Sequence, residues 1–264
     1  MKVTVLGCGV SSGVPSLESG WGACDPTHPR NRRSRASILI EEKGYRLLVD
    51  TSPDLRCQLL DAGVTRLDGV LYTHAHADHT HGIDDLRGIN RNIGGPLPTW
   101  ADDATFTHIQ SCFAYAFEGI PPRQPIFRPW LQRHPLQDQF MAGPLLVRSF
   151  VQDHGYSLSQ GVRIGSFAYS TDVVRLSDQA FSILEGVDTW IVGVFSDQAH
   201  PTHAHVDLAL SWIERVRPRR AVFTHMGNRL DYDVLKNSLP AGVEPAWDGM
   251  VLDIPDNEKA PPFG

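Results

Sequence analysis

Short apolar runs recur from one end of the chain to the other. Val3-Thr4-Val5-Leu6, Ser37-Ile38-Leu39-Ile40, Tyr45-Arg46-Leu47-Leu48-Val49, Gly69-Val70-Leu71-Tyr72-Thr73 and Leu145-Leu146-Val147 come first. Phe167-Ala168-Tyr169-Ser170, Trp190-Ile191-Val192-Gly193-Val194, Ala221-Val222-Phe223-Thr224 and Met250-Val251-Leu252 follow. Runs this short and this rich in β-branched residues suit buried strands. Glu41-Glu42-Lys43-Gly44 puts charge and a glycine between the second and third runs, which predicts a hairpin.

Helical signals lie between the strands. Ser52-Pro53-Asp54-Leu55 offers a capping serine, a first-turn proline and an acidic residue, and Gly63 closes that helix. Ser177 caps a short helix through Leu184, with Gly186 beyond it. From Val206 to Val216, Leu208, Trp212, Ile213 and Val216 share one helical face before Pro218 stops the run. Strands in both halves with helices between them predict an α/β protein of sheet layers covered by helices. Residues 91–144, with Gly94-Gly95-Pro96, Pro121-Pro122 and Pro135, form the least regular stretch and read as an insertion and candidate lid.

Length and composition narrow the setting. The 264 residues fit one large domain, 1–264, with no linker, and 41% hydrophobic and 20% charged residues suit a sizeable core. The formal net charge of -6 favours neither a nucleic-acid nor a membrane partner. Arg30-Asn31-Arg32-Arg33-Ser34-Arg35 is the local exception, read as a solvated loop rather than a phosphate patch. Cys8, Cys24, Cys57 and Cys112 form no CxxC pair, and no apolar run reaches membrane-spanning length. Both points predict a cytoplasmic protein without a disulfide framework.

The candidate chemistry is concentrated in Tyr72-Thr73-His74-Ala75-His76-Ala77-Asp78-His79-Thr80-His81. In an extended loop His74 and His76 point the same way and can share an ion, while Asp78 and His79 enter a helix and aim at a neighbouring point. Imidazole suits Zn²⁺, and carboxylate adds charge balance and tolerates Mn²⁺ or Fe²⁺. Further donors, His154, Asp172 and His225, each follow a β-run, where a rigid backbone can hold them.

With these later donors in order, Thr73-His74-Ala75-His76-Ala77-Asp78-His79 resembles the HxHxDH loop of the metallo-β-lactamase superfamily. That likeness implies an αββα sandwich of two mixed β-sheets covered by helices. It implies one metal at His74, His76 and His154, a second at Asp78, His79 and His225, and Asp172 bridging them. It also implies that Asp50 orients a ligand histidine, and leaves His81 a bystander.

The opening Leu6-Gly7-Cys8-Gly9-Val10-Ser11-Ser12-Gly13-Val14-Pro15 with Trp21-Gly22 is similar to phosphoribosyl cyclic phosphate phosphodiesterases. So are Ser196-Asp197-Gln198-Ala199-His200-Pro201, His205-Val206-Asp207-Leu208, Thr224-His225-Met226 and Trp247-Asp248-Gly249-Met250. Ribonuclease Z opens with a similar turn. The likeness implies hydrolysis of a small phosphodiester, cyclic or nucleotide-like, by a hydroxide bridging two Zn²⁺ or Mn²⁺ ions. Its catalytic residues are then Asp78 and His205, with His205 over the phosphate and tuned by Asp78 or Asp207. His200 receives no chemistry. His203, His108 and His134 read as surface or structural residues, and Arg87 as a helix-surface ion pair. Cys24 and His28 are too few for the family's extra structural zinc. Ribonuclease Z-like processing, thioester or lactone hydrolysis, a non-catalytic metal carrier and a homodimer are left open.

Overall fold

Lys43 and Gly44 reverse the chain between the second and third strands with φ of 50° and 80°, the backbone of a two-residue primed hairpin turn. Glu42 pairs directly with Tyr45 across it, as the charge-and-glycine spacing predicts. The computed structural model describes residues 1–119 and 128–255.

One sheet contains β1 (Lys2–Gly7), β2 (Ser37–Glu42), β3 (Tyr45–Val49), β4 (Gly69–Leu71), β5 (Leu97–Ala101) and β6 (Leu131–Pro135) in order. The second contains β7 (Gln139–Ala142), β8 (Leu145–Asp153), β9 (Leu158–Ile164), β10 (Phe167–Ser170), β11 (Thr189–Gly193), β12 (Arg220–Thr224) and β13 (Val243–Pro245). β14 (Val251–Asp253) returns to pair antiparallel with β1. Both sheets are mixed: β3 to β6 and β10 to β13 run parallel, and the remaining pairs are antiparallel.

Alternation along the first three strands divides side chains between layers. Val3, Val5, Ile38, Ile40, Leu47 and Val49 pack with residues of the second sheet. Leu6, Leu39 and Leu48 join an outer cluster with α1 (Leu55–Asp61), α3 (Leu86–Ile93) and α4 (Asp103–Cys112). Between α1 and α3 lies the one-turn α2 (Ala77–Thr80). α5 (Asp178–Leu184), α6 (Val206–Val216) and α7 (Tyr232–Ser238) cover the second sheet. The result is the expected αββα sandwich, in which the central strands β2 to β4 and β10 to β12 are buried on both faces and read as near-continuous apolar runs, while β7 and β8 alternate and leave Met141, Leu146 and Val151 exposed.

Ser177 caps α5 by accepting from Ala180 N, and α6 has the predicted limits. α1 begins at Leu55, later than expected, because Ser52 Oγ accepts from Asp54 N and makes a turn before the helix. A larger correction concerns residues 91–144. The described residues of this stretch supply β5, α4 and β6 to the first layers and β7 to the second sheet, so they build the sandwich rather than insert into it. Pro98 and Pro135, which read as breakers, lie within β5 and β6. Pro121 and Pro122 lie outside the described residues.

Leu47 is fully buried between the sheets. Leu47→Ala is expected to lower unfolding free energy by about 2–5 kcal/mol, read as a shifted urea midpoint. An unchanged midpoint would contradict its central packing.

Candidate metal centre

The strands of the parallel segments end at one edge of the sandwich, and the loops beyond them hold the donors. Asp50 follows β3, His74 to His79 follow β4 and enter α2, Asp172 follows β10 and His225 follows β12. His154 follows β8 on the antiparallel side of the second sheet. Asp50, Asp172 and His225 have φ of 66°, 46° and 53°. A left-handed backbone costs a non-glycine residue about 1–2 kcal/mol, and residues held this way cluster where function requires the side chain. Backbone bonds fix the loops: Thr51 N donates to His79 O, Gly82 N to Thr51 O, and Gln160 N of the second sheet to Thr73 O.

Seven donors converge in two groups that share Asp172: His74, His76, His154 and Asp172, then Asp78, His79, Asp172 and His225. Within each group the donor atoms lie within 4.8 Å of one another. The Asp172 carboxylate is divided between them. Its Oδ2 lies 3.6 Å from His74 Nε2 and 3.5 Å from His154 Nε2, and its Oδ1 lies 3.2 Å from both His79 Nε2 and His225 Nε2. Asp78 Oδ2 is 3.2 Å from His79 Nε2 and 3.5 Å from His225 Nε2.

The chemistry of this donor set fits divalent cations. His76 Nδ1 faces His74 Nε2 at 3.0 Å and His154 Nε2 at 3.3 Å, so ring nitrogens crowd around one point. The buried His79 Nε2 makes no well-aligned hydrogen bond although Asp78 and Asp172 oxygens are 3.2 Å away. Lone pairs directed at a common centre and buried carboxylates are what a borderline cation coordinates.

Charge within the cluster is strongly coupled. Burial raises the Asp172 carboxyl pKa, but the His225 and His79 imidazoles outweigh it and hold the group well below the usual range. Asp78 is likewise lowered, His79 and hydrogen bonds from His225 and His79 overcoming burial. His79 is pushed well up, since Asp78, Asp172 and Asp50 outweigh its burial, whereas burial and then His79 push His74 well down.

Asp50 is fully buried and supports this arrangement. One oxygen accepts from Thr73 N at 2.8 Å, and the other from Thr73 Oγ1 and His79 Nδ1, both at 2.8 Å. These bonds leave His79 Nε2 facing the cluster, the orienting contact expected of a residue behind a metal-binding histidine.

One imidazole was misjudged from the sequence. His203, read as surface or structural, lies with Nε2 3.3 Å from Asp172 Oδ2, its ring stacked on His225 at 5.1 Å. Its Nδ1 lies 2.7 Å from Thr202 Oγ1. His205, expected over the reaction centre, occupies the N-cap of α6 without a side-chain capping bond and is not among the residues lining the cavity over the donors. Paired bonds of Ala204, N to Val173 O and O to Phe195 N, fix which of the two histidines enters the centre. The His-x-His spacing was visible, but the likeness carried by His205-Val206-Asp207-Leu208 pointed to the other ring.

His81 is exposed against Phe113 and belongs to neither donor group. His200 lies behind His203, with their Nδ1 atoms 3.3 Å apart. His134 stacks on Trp100, and His108 is exposed on α4. Arg87 is exposed on α3 and lowers the Asp85 pKa, which burial raises.

The arginine run is neither a solvated loop nor a free patch. Arg33 is buried and donates to Gly227 O and Leu230 O, just beyond His225. Arg30 lies over Trp247, and Arg35 pairs with Asp54. The Gly-rich opening fits beneath this segment: a Cβ at Gly7 would meet Arg35 O at 2.2 Å, and one at Gly9 would meet Arg33 O at 2.9 Å. Cys24 Sγ donates to Asn228 O and Leu230 O, while His28 faces Asp233.

A cavity of about 330 Å³ opens over the donors, its rim including Ser11, Tyr156, Ser157 and Thr202. A larger groove of about 820 Å³, between the arginine run and α1, contains none of them. No helix among the described residues is long and apolar enough to cross a membrane.

Residues 45–226 match the family model described as the beta-lactamase superfamily domain. The crystal structure of a diphosphatase from the PhnP family superposes with TM-score 0.88 and 31% identity, covering 96% of this chain and 98% of that one. An octanoyltransferase of Porphyromonas gingivalis is 30% identical over 255 residues, 95% of this chain and 51% of that protein. A ribonuclease Z of Bradyrhizobium sp. is 42% identical over 69 residues, 25% of this chain and 22% of that protein. The chain thus spans about half of the first curated relative and a smaller part of the second.

Asp50→Ala leaves Thr73 and His79 without their acceptor, a loss of about 2–4 kcal/mol. Urea denaturation in excess chelator should show a lower midpoint, and Asp50→Asn a smaller fall. Equal stability of all three proteins would show that Asp50 does not hold this loop.

Proposed function

Because this chain belongs to the metallo-β-lactamase superfamily, and to the PhnP family within it, we propose that it is a dinuclear metal-dependent phosphodiesterase. Its substrate is a small phosphodiester, cyclic or nucleotide-like. The convergence of seven donors into two groups around Asp172 carries this reading. His74, His76 and His154 would hold one Zn²⁺ or Mn²⁺, and Asp78, His79 and His225 the other, with Asp172 serving both. Bound there, the ions supply Lewis acidity that polarises a phosphoryl oxygen and brings the pKa of water towards about 7.

The protein contributes position and proton control. Asp50 and Thr73 fix His79 and the loop before it. His203, on the cavity rim beside Asp172, is the imidazole that gives a proton to the departing oxygen. This assignment moves the role from His205, which the sequence likeness favoured. The lining hydroxyls of Ser11 and Ser157 are available to bind polar parts of a substrate, while that of Thr202 is engaged with His203 and His200. Four free cysteines support a reducing, cytoplasmic setting.

A carbonyl ester or thioester is the second reading, favoured by the 30% identity to an octanoyltransferase. The same Lewis acidity suits an acyl oxygen.

Protein loaded with Mn²⁺ or Zn²⁺ is expected to bind two ions per chain and hydrolyse bis(p-nitrophenyl) phosphate. Chelation or Asp172→Ala should abolish turnover. His203→Ala should lower kcat by roughly 10²–10⁴-fold, while His205→Ala leaves it nearly unchanged; the reverse ranking would return the role to His205. Hydrolysis of p-nitrophenyl octanoate but not the diester, by protein carrying two ions, would replace the first reading with the second.

A further inference from the structure

Tyr156 has no place in the chemistry above, yet its position is unusual for a large aromatic residue. It is 91% exposed while lying on the rim of the cavity that holds His76, Asp78, His154, Asp172, His203 and His225. Its backbone belongs to a tightly tethered turn. His154 N donates to Ser157 O, and Gly155 N donates to Asp153 Oδ1. Asp153 Oδ2 accepts from Arg175 Nε at 2.8 Å.

Gly155 has φ +83°, and a Cβ there would meet Pro201 O and Thr202 Cγ2 at 2.8 Å, so this turn lies flush against the segment leading to His203. His154 Nδ1 lies 2.7 Å from Thr202 O, joining the two segments at the donors themselves. The fold therefore positions the ring beside the reaction centre but gives it almost no protein surface to cover.

We propose that Tyr156 is a specificity residue whose ring stacks on a planar group attached to the substrate phosphate, a nucleobase being the fitting class. The proposal rests on the phosphodiesterase reading and narrows its substrate to a nucleoside-like ester. A tyrosine has few rotatable bonds, so it offers a wide apolar face at small ordering cost. Base–aromatic stacking contributes about 1–3 kcal/mol per base when tested by alanine substitution. A phosphate near the donors and a ring on Tyr156 would use both parts of the same cavity. The backbone turn places Tyr156 at the rim without using its phenol, so the hydroxyl is dispensable.

Isothermal titration calorimetry on the metal-loaded protein tests this with adenosine 5′-monophosphate and ribose 5-phosphate, which share the phosphate and sugar and differ in the base. Wild type should bind the nucleotide about tenfold more tightly, the stacking contribution expressed as affinity. Tyr156→Ala should erase that difference and leave ribose 5-phosphate binding unchanged, while Tyr156→Phe should retain it. Tyr156→Leu, apolar but not planar, should behave like the alanine variant. No preference in wild type, binding of neither compound, a preference that survives in Tyr156→Ala, or full retention by Tyr156→Leu would each overturn the proposal. Turnover of bis(p-nitrophenyl) phosphate without any base preference would leave the hydrolase reading standing and remove only the role of Tyr156. A Tyr156-dependent base preference without diester turnover would support base recognition while sinking the hydrolase reading.

Discussion

A fully buried carboxylate cannot stay ionised without compensating positive charge or hydrogen bonds, and Asp172 meets that constraint by drawing imidazoles from several loops. His74, His79, His154, His203 and His225 all place a ring nitrogen within 3.6 Å of it. Those histidines meet Asp172, on the loop after β10, because β4, β8, β11 and β12 deliver them to the same edge. The left-handed backbone at Asp172 and His225 is the local strain accepted to aim them inward.

Asp50 extends the same logic one layer back. Its carboxylate joins the end of β3 to Thr73 and His79, while Thr51 holds the backbone of α2. On the other side, Arg33 binds carbonyls of the loop beyond His225, and the Gly-rich opening packs beneath the arginine segment. Asp248 accepts from both Cys8 N and Ser34 N, tying those pieces together. The opening therefore supports the His225 loop through backbone fit, with Ser11 alone of its residues lining the cavity.

Much of this was legible in the chain because the donors obey local rules. Apolar runs marked the strands, and a histidine or aspartate just past a run marked a strand end. The hairpin at Lys43-Gly44 and the cap at Ser177 are similarly local. What escaped was set by distant partners. Arg33 looks like its neighbours until carbonyls from residues 227 and 230 surround its guanidinium. His203 and His205 are equivalent by spacing, and only backbone pairing of Ala204 with two remote segments separates them. Prolines disguised β5 and β6 because strand pairing outweighed the usual breaker signal. The left-handed residues gave no warning, since none of the three is a glycine.

The distribution of donors along the chain imposes an order on the birth of the centre. The group with His74, His76 and His154 has all its members once Asp172 has been synthesised, while the group with Asp78 and His79 must wait for His225. Between those moments a nascent chain carries one complete set and one lacking a single imidazole, before β12 has taken its place beside β11. Synthesis thus delivers the two donor sets in sequence, and the last donor of the later set lies on the loop after β12, the strand that pairs with β11 in the second sheet.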